Sequence, residues 1–165
     1  MIPRRIHSYF KTMHQKQDND GSLIEGMLNC CNASNFEILS IGKIKKGLFS
    51  QYHLLPVDNV VVLSARCRKC RKRILLFDSR HDGYDQIENQ IEPKYLEHAK
   101  PECIICRKCK HNTFSIIIEY EFPSIQELKD LGIVEIGDAF TWIRITLECN
   151  LCGTKYVNFL DYETG

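Results

Sequence analysis

No stretch of this 165-residue chain comes near the roughly 20 consecutive apolar residues of a membrane-spanning helix, and the opening MIPRRIHSYF lacks the apolar core of a signal peptide. The expectation is a cytoplasmic protein with no membrane partner. Net charge is scarce as well. The 22 Lys and Arg stand against 21 Asp and Glu, leaving +1, and a pI near 7.6 lies below the range of basic nucleic-acid-binding domains. HExxH, phosphate-loop and nucleophile-elbow motifs are missing, and the CxxC pairs lack the βαβ context of a thioredoxin-like redox site. These absences leave no catalytic set and no small-molecule substrate to expect. Apolar residues at 44% and charged residues at 26% are ordinary globular proportions, which speaks against wholesale disorder.

Cysteine is what the chain has in excess. There are nine, an odd number without a visible export signal, so a disulfide framework fits poorly. Six of them stand in the pairs Cys67/Cys70, Cys106/Cys109 and Cys149/Cys152. Thiolates at i and i+3 of a tight turn converge on one ion, and Zn²⁺ takes four ligands tetrahedrally, so a closed site needs two such pairs. Cys106, Cys109, Cys149 and Cys152 meet that need, and residues 110–148 between them are enough for strands that bring the pairs together. A second site would draw on Cys67, Cys70 and Cys31, with Cys30 or a histidine as fourth ligand. Three-ligand and metal-free versions of it stay open, because adjacent cysteines seldom reach one ion comfortably. Cys103 is left over, as a buried or free thiol. The cofactor expectation is two Zn²⁺.

The cysteines are organised by a repeat. Cys31, Phe36 and Ile38 match Cys109, Phe114 and Ile116 at an offset of 78, and Cys67, Cys70 and Phe77 match Cys149, Cys152 and Phe159 at an offset of 82. Each late pair follows an apolar, β-branched run. The simplest account is two copies of one unit, each with an early and a late cysteine knuckle. In the first copy Leu28 falls where the counterpart of Cys106 should stand, leaving Cys30 as substitute.

With CRKC at 67–70, CRKC at 106–109 and CNLCG at 149–153, the chain resembles the zinc-ribbon superfamily over roughly 28–77 and 104–161. The resemblance implies two knuckles, each at the tip of a β-hairpin, clamping one zinc ion, in a mostly non-catalytic family. Gly153 occupies the position after the second cysteine where the turn favours positive φ; Arg71 and Lys110 take it elsewhere, a departure from the pattern. The expected fold is small and mainly β with short helices, as two zinc-ribbon-like units in tandem. Residues 1–25 form a polar N-terminal segment, frayed or briefly helical; 26–82 the basic first unit; 83–102 an acidic connector; and 103–165 the second unit with a short inserted helix. Strands are expected over Phe36–Ile44, Ile74–Phe77, Phe114–Phe122 and 133–147. Ser124 to Glu127 reads as a capping box opening a helix through Leu131, stopped by Gly132.

Charge is polarised along the chain: residues 1–80 carry 14 basic and 6 acidic side chains, residues 81–165 carry 8 and 15. The densest run is Arg66, Arg68, Lys69, Arg71, Lys72 and Arg73 around the cysteine pair 67/70, the candidate partner-binding surface. Two functions are weighed. One is an adaptor or inhibitor docking a protein partner, for example an immunity protein neutralising a bacterial toxin. The other is a nucleic-acid-binding protein of transcription or RNA processing gripping phosphate through 66–73. The first is preferred. The turn Asp78, His81, Asp82 and Asp85 is the single polar cluster that invites a hydrolytic reading, and acidic residues around Asp-Gly are common in solvated turns.

Overall fold

A computed structural model describes residues 2–48, 51–89, 100–134 and 136–165. The chain is mainly β. Strands β1 (Phe10–Gln17), β2 (Ser22–Leu28), β3 (Phe36–Ile41), β4 (Lys43–Lys46), β5 (Tyr52–Leu55), β6 (Val62–Cys67) and β7 (Arg73–Asp78) come from the first half. Strands β8 (Glu102–Cys103), β9 (Phe114–Phe122), β10 (Trp142–Cys149) and β11 (Lys155–Glu163) come from the second, and the helices α1 (Arg4–His7), α2 (Tyr84–Asn89) and α3 (Ile125–Asp130) are short. β9 shows why. Its residues alternate strictly between buried and half-buried, as a strand with one covered face must.

The repeat is real at the level of hydrogen-bond register. In the first unit β3 pairs with β6 so that Phe36 faces Cys67; in the second β9 pairs with β10 so that Phe114 faces Cys149. Ala65 and Arg66 face Ile74 and Arg73, and 82 residues on Leu147 and Glu148 face Tyr156 and Lys155. Both outgoing hairpins then slip register, between Leu63 and Ser64 and between Ile145 and Leu147. The units differ in what is inserted between their middle strands: the β4–β5 hairpin in the first, α3 in the second.

The two units do not stand apart. Their leading strands are exchanged: β2 pairs with β9 of the second unit, and β8 pairs with β3 of the first. A bridge between Phe36 and Phe114, residues matched by the repeat, joins the halves at the centre. Both phenylalanines are fully buried in one core that continues through Ile38, Leu63, Phe77, Ile116, Ile118, Tyr120 and Ile145. Two small hairpin units bury little apolar surface singly, and exchange merges them into one core.

Three local expectations also change. Residues 1–25 hold α1 but then form β1 and half of β2 rather than a frayed segment. β1 carried no strand signal because it is an edge strand whose residues after Phe10 are all exposed, so no alternation exists to read. Phe36–Ile44 is two strands broken at Gly42. The stretch 133–147 becomes strand only at Trp142, after a 3₁₀ turn over Ile136–Asp138. By contrast β9 and α3 match expectation, with Ser124 Oγ accepting from the Glu127 amide. Of the acidic connector, residues 90–99 lie outside the described residues; α2 and β8 occupy its ends.

Candidate metal centres

Cys106, Cys109, Cys149 and Cys152 converge, their sulfurs all within 4.8 Å of one another. Cys106 Sγ lies 3.6 Å from Cys152 Sγ and Cys109 Sγ 3.5 Å from Cys149 Sγ. Those distances far exceed an S–S bond of about 2.05 Å. They approach the edge of about 3.8 Å that a tetrahedron with metal–sulfur bonds of about 2.3 Å would have. The knuckles that deliver the thiols are built alike. The Cys106 amide donates to His111 O and the Lys110 amide to Cys106 O; the Cys149 amide donates to Thr154 O and the Gly153 amide to Cys149 O. Supporting hydrogen bonds reach the sulfurs: Tyr156 Oη to Cys106 Sγ at 3.3 Å, and Thr154 Oγ1 with Cys152 Sγ at 3.1 Å. Tyr156 Oη in turn accepts from the Arg107 amide at 2.8 Å, pinning the knuckle. Such outer contacts orient metal ligands and set their basicity.

The first tetrad is Cys30, Cys31, Cys67 and Cys70, again within 4.8 Å. The structure brings Cys30 to the fourth position, with its sulfur 3.6 Å from Cys70 Sγ and 3.7 Å from Cys31 Sγ. Its irregular knuckle is the regular one shortened by two residues. Cys30 and Ala33 exchange amide–carbonyl bonds, where the second unit bonds Cys106 to His111. Cys31 then aligns with Cys109, and Asn32 with Lys110. The residues equivalent to Arg107 and Lys108 are missing, so Cys31 itself enters the left-handed region at φ 56° beside Asn32 at 56°. Two positive φ values make a type I′-like tip, and this turns adjacent cysteines toward one point. The position after the second cysteine is left-handed in all four knuckles: Asn32 at 56°, Arg71 at 64°, Lys110 at 64° and Gly153 at 67°. Glycine is therefore convenient there but not required. Cys103 joins neither tetrad; it is exposed on β8, so a free thiol, not a buried one.

Each tetrad holds thiols pulled in opposite directions. The Lys72 amide draws Cys70 down to about 7, whereas burial and the neighbouring thiols push Cys30 well up. Burial opposes ionisation of Cys106, but the Tyr156 hydroxyl and the Cys109 and Lys108 amides outweigh it and bring Cys106 to about 6. The His111 amide favours the thiolate of Cys109, yet burial and the other three sulfurs push it up to about 12. Four thiols this close share a small number of negative charges, and a divalent cation displaces the remaining protons. Both tetrads can hold metal ions. They sit side by side at one end of the strands: Cys67, Phe36, Phe114 and Cys149 form one row across β6, β3, β9 and β10. Three inter-strand steps separate the end Cα atoms, roughly 14 Å.

The basic run 66–73 has a buried anion beneath it. Glu37, with a side chain only 5% exposed, accepts from Arg66 Nε at 2.6 Å and from Arg68 Nη1, and Arg71 Nη1 lies 3.7 Å away. Burial alone would raise the carboxyl, but the two arginines hold it below its usual range. Lys72 lies over the Tyr9 ring at 4.9 Å, Lys69 Nζ donates to Cys31 O at 3.3 Å, and Arg73 donates to Ser64 Oγ at 3.1 Å. The acidic turn is engaged in the same way. Asp78 takes Arg80, and Asp82 takes Arg5 and the Asp78 amide, while Arg5 also donates to Leu75 O and Leu76 O. His81 is exposed.

Sequence reading missed Tyr156, Thr154 and Glu37. No spacing rule marks them, although a tyrosine and a threonine just past a cysteine pair are the residue types that hydrogen-bond sulfur. Among the described residues no helix is long and apolar enough to cross a membrane. No family model, no curated protein and no solved structure matches this chain.

Proposed function

We propose that this chain is a non-catalytic, zinc-stabilised binding protein of zinc-ribbon type, acting in the cytoplasm as an adaptor or inhibitor that docks a protein partner. Four convergent thiols are a soft, tetrahedral donor set, which suits Zn²⁺, and each filled centre would carry a net charge of about 2−. The observation that carries the docking reading is the condition of the basic knuckle. Its cations are held in place from within, three arginines on buried Glu37, Lys72 on Tyr9 and Lys69 on a backbone carbonyl. Fixed cations of known spacing match a structured acidic surface and steer encounter with it. Phosphate contacts by the same arginines would compete with buried Glu37, which disfavours the nucleic-acid reading at this knuckle. The hydrolytic reading of the 78–85 turn loses support for a similar reason, since Asp78 and Asp82 are already neutralised by Arg80 and Arg5.

A photo-crosslinker placed at Lys69 in the producing cell tests this. One discrete protein adduct is expected, lost when Lys72→Glu and Arg73→Glu reverse charges that do not touch Glu37. Adducts to nucleic acid alone would refute docking to a protein. Metal analysis of the pure chain, returning zinc and not iron, tests the cofactor.

A further inference from the structure

The tetrapeptide CRKC occurs twice, and the fold treats the two copies oppositely. At 67–70 the arginine is spent on Glu37. At 106–109, Arg107 and Lys108 are exposed, and neither has a carboxylate partner among the described residues. They line a cleft of about 520 Å³ together with Tyr52, brought there by the hairpin inserted in the first unit. Lys155 and Thr154, at the start of β11, line it as well. The cleft therefore lies between the two units and exists because they are merged.

We infer that this cleft is a binding site for a nucleotide unit, a phosphate joined to a planar heteroaromatic ring. Three cations line it, and among the described residues the one ion pair they make is that of Lys155 with Glu148, at 3.4 Å and partly exposed. An anion entering meets Lys108 and Lys155 without displacing a buried partner, the reverse of the situation at Glu37. The ring is accommodated by the pair Arg107 and Tyr52. The Arg107 guanidinium lies over the Tyr52 ring, 5.5 Å from its centroid, and Arg107 is exposed, so the pair offers a stacking platform for a base. The backbone beneath that platform is tied down. The Arg107 amide is anchored on Tyr156 Oη, Tyr52 packs edge-on against Tyr156 at 6.2 Å, and His53 Nδ1 meets Asn158 O at 2.9 Å, tying the hairpin to β11. The volume falls within the range of about 300–1,000 Å³ usual for small-ligand sites. The site goes beyond the docking reading and rests on no step of it.

The test is calorimetric titration of the full, metal-loaded chain with inorganic phosphate, AMP and the single strand (dA)5. AMP is expected to bind at least about tenfold tighter than phosphate, and Lys108→Glu to weaken AMP at least about tenfold, the effect of losing one charged contact. Tyr52→Leu should bring AMP down to the phosphate level, and Lys69→Glu, in the other CRKC, should leave AMP affinity unchanged. Metal content and melting temperature check folding of each variant, with Arg107→Gln as the substitute if one fails. If (dA)5 equals AMP, the site takes a free nucleotide; if it is much tighter with the same variant sensitivity, the unit belongs to a single strand. Absence of AMP binding at millimolar concentration overturns the inference. So does AMP no tighter than phosphate, or binding indifferent to Lys108→Glu.

Discussion

Replacing Glu37 with glutamine keeps the shape of the side chain and removes one negative charge from beneath three arginines. Removing one partner of a buried ion pair costs about 3–5 kcal/mol, because the other charge is left uncompensated. Here the anion is removed and the cations are 35–55% exposed, so water recovers part of their solvation, and the glutamine oxygen can still accept one bond. A loss of about 2–3 kcal/mol at neutral pH follows. For a chain of this length that corresponds to a fall in melting temperature of about 5–10 °C. Glu37 titrates below its ordinary 4.5 in the folded state, so its contribution is complete above that value and is lost as pH falls through the lower folded value. The difference between wild type and Glu37→Gln should therefore be flat from pH 7 to about 5 and close toward zero below. Both proteins shed metal in acid, which is why the difference, not either melt alone, is the quantity to follow by calorimetry. A variant melting with wild type at pH 7 would show that Glu37 does not organise the basic knuckle.

Cys149→Ser should abolish metal at the second centre and unfold much of the chain, since structural zinc contributes on the order of 10 kcal/mol in small modules and this tetrad sits within the shared core; native mass spectrometry with a thermal melt decides it, and a full metal count with an unchanged melt would remove the assignment. Two metal ions per chain are expected, with the first centre emptied first by mild chelation because Cys31 and Cys70 are exposed while their counterparts Cys109 and Cys152 are half-buried; release in the opposite order on stopped-flow chelation contradicts this. Tyr156→Phe removes the hydroxyl that donates to Cys106 and accepts from Arg107, and should weaken metal at the second centre by about tenfold or more in competition titrations while leaving the first unchanged. Arg5→Ala strips the bonds to Leu75 O, Leu76 O and Asp82 from the edge of β7 and should cost about 2–3 kcal/mol in denaturant melts, a loss that Arg5→Lys, with its single point charge, should only partly restore.

The sequence alone determined the chemistry of this protein: which thiols form pairs, that four are needed for one ion, that the chain repeats, and that strands run into and out of the knuckles. Those properties are local, set by the geometry of a tight turn and by alternation along one strand, so β9 and the Ser124 cap could be read directly. The tertiary structure decided everything that depends on which distant segment a residue meets. No periodicity announces that β2 leaves its own unit to pair with β9, because hydrogen-bond partners along a strand edge carry no label in the residue types. The same reason hid β1, whose exposed side chains answer only to the backbone of β2. It also divided the two CRKC copies, one resting on Glu37 across β3 and β6, the other facing Tyr52 from the opposite unit. Adjacent Cys30 and Cys31 looked unfit for one ion until a two-residue shortening placed Cys31 and Asn32 in the left-handed region, a backbone state that the register of the surrounding strands imposes.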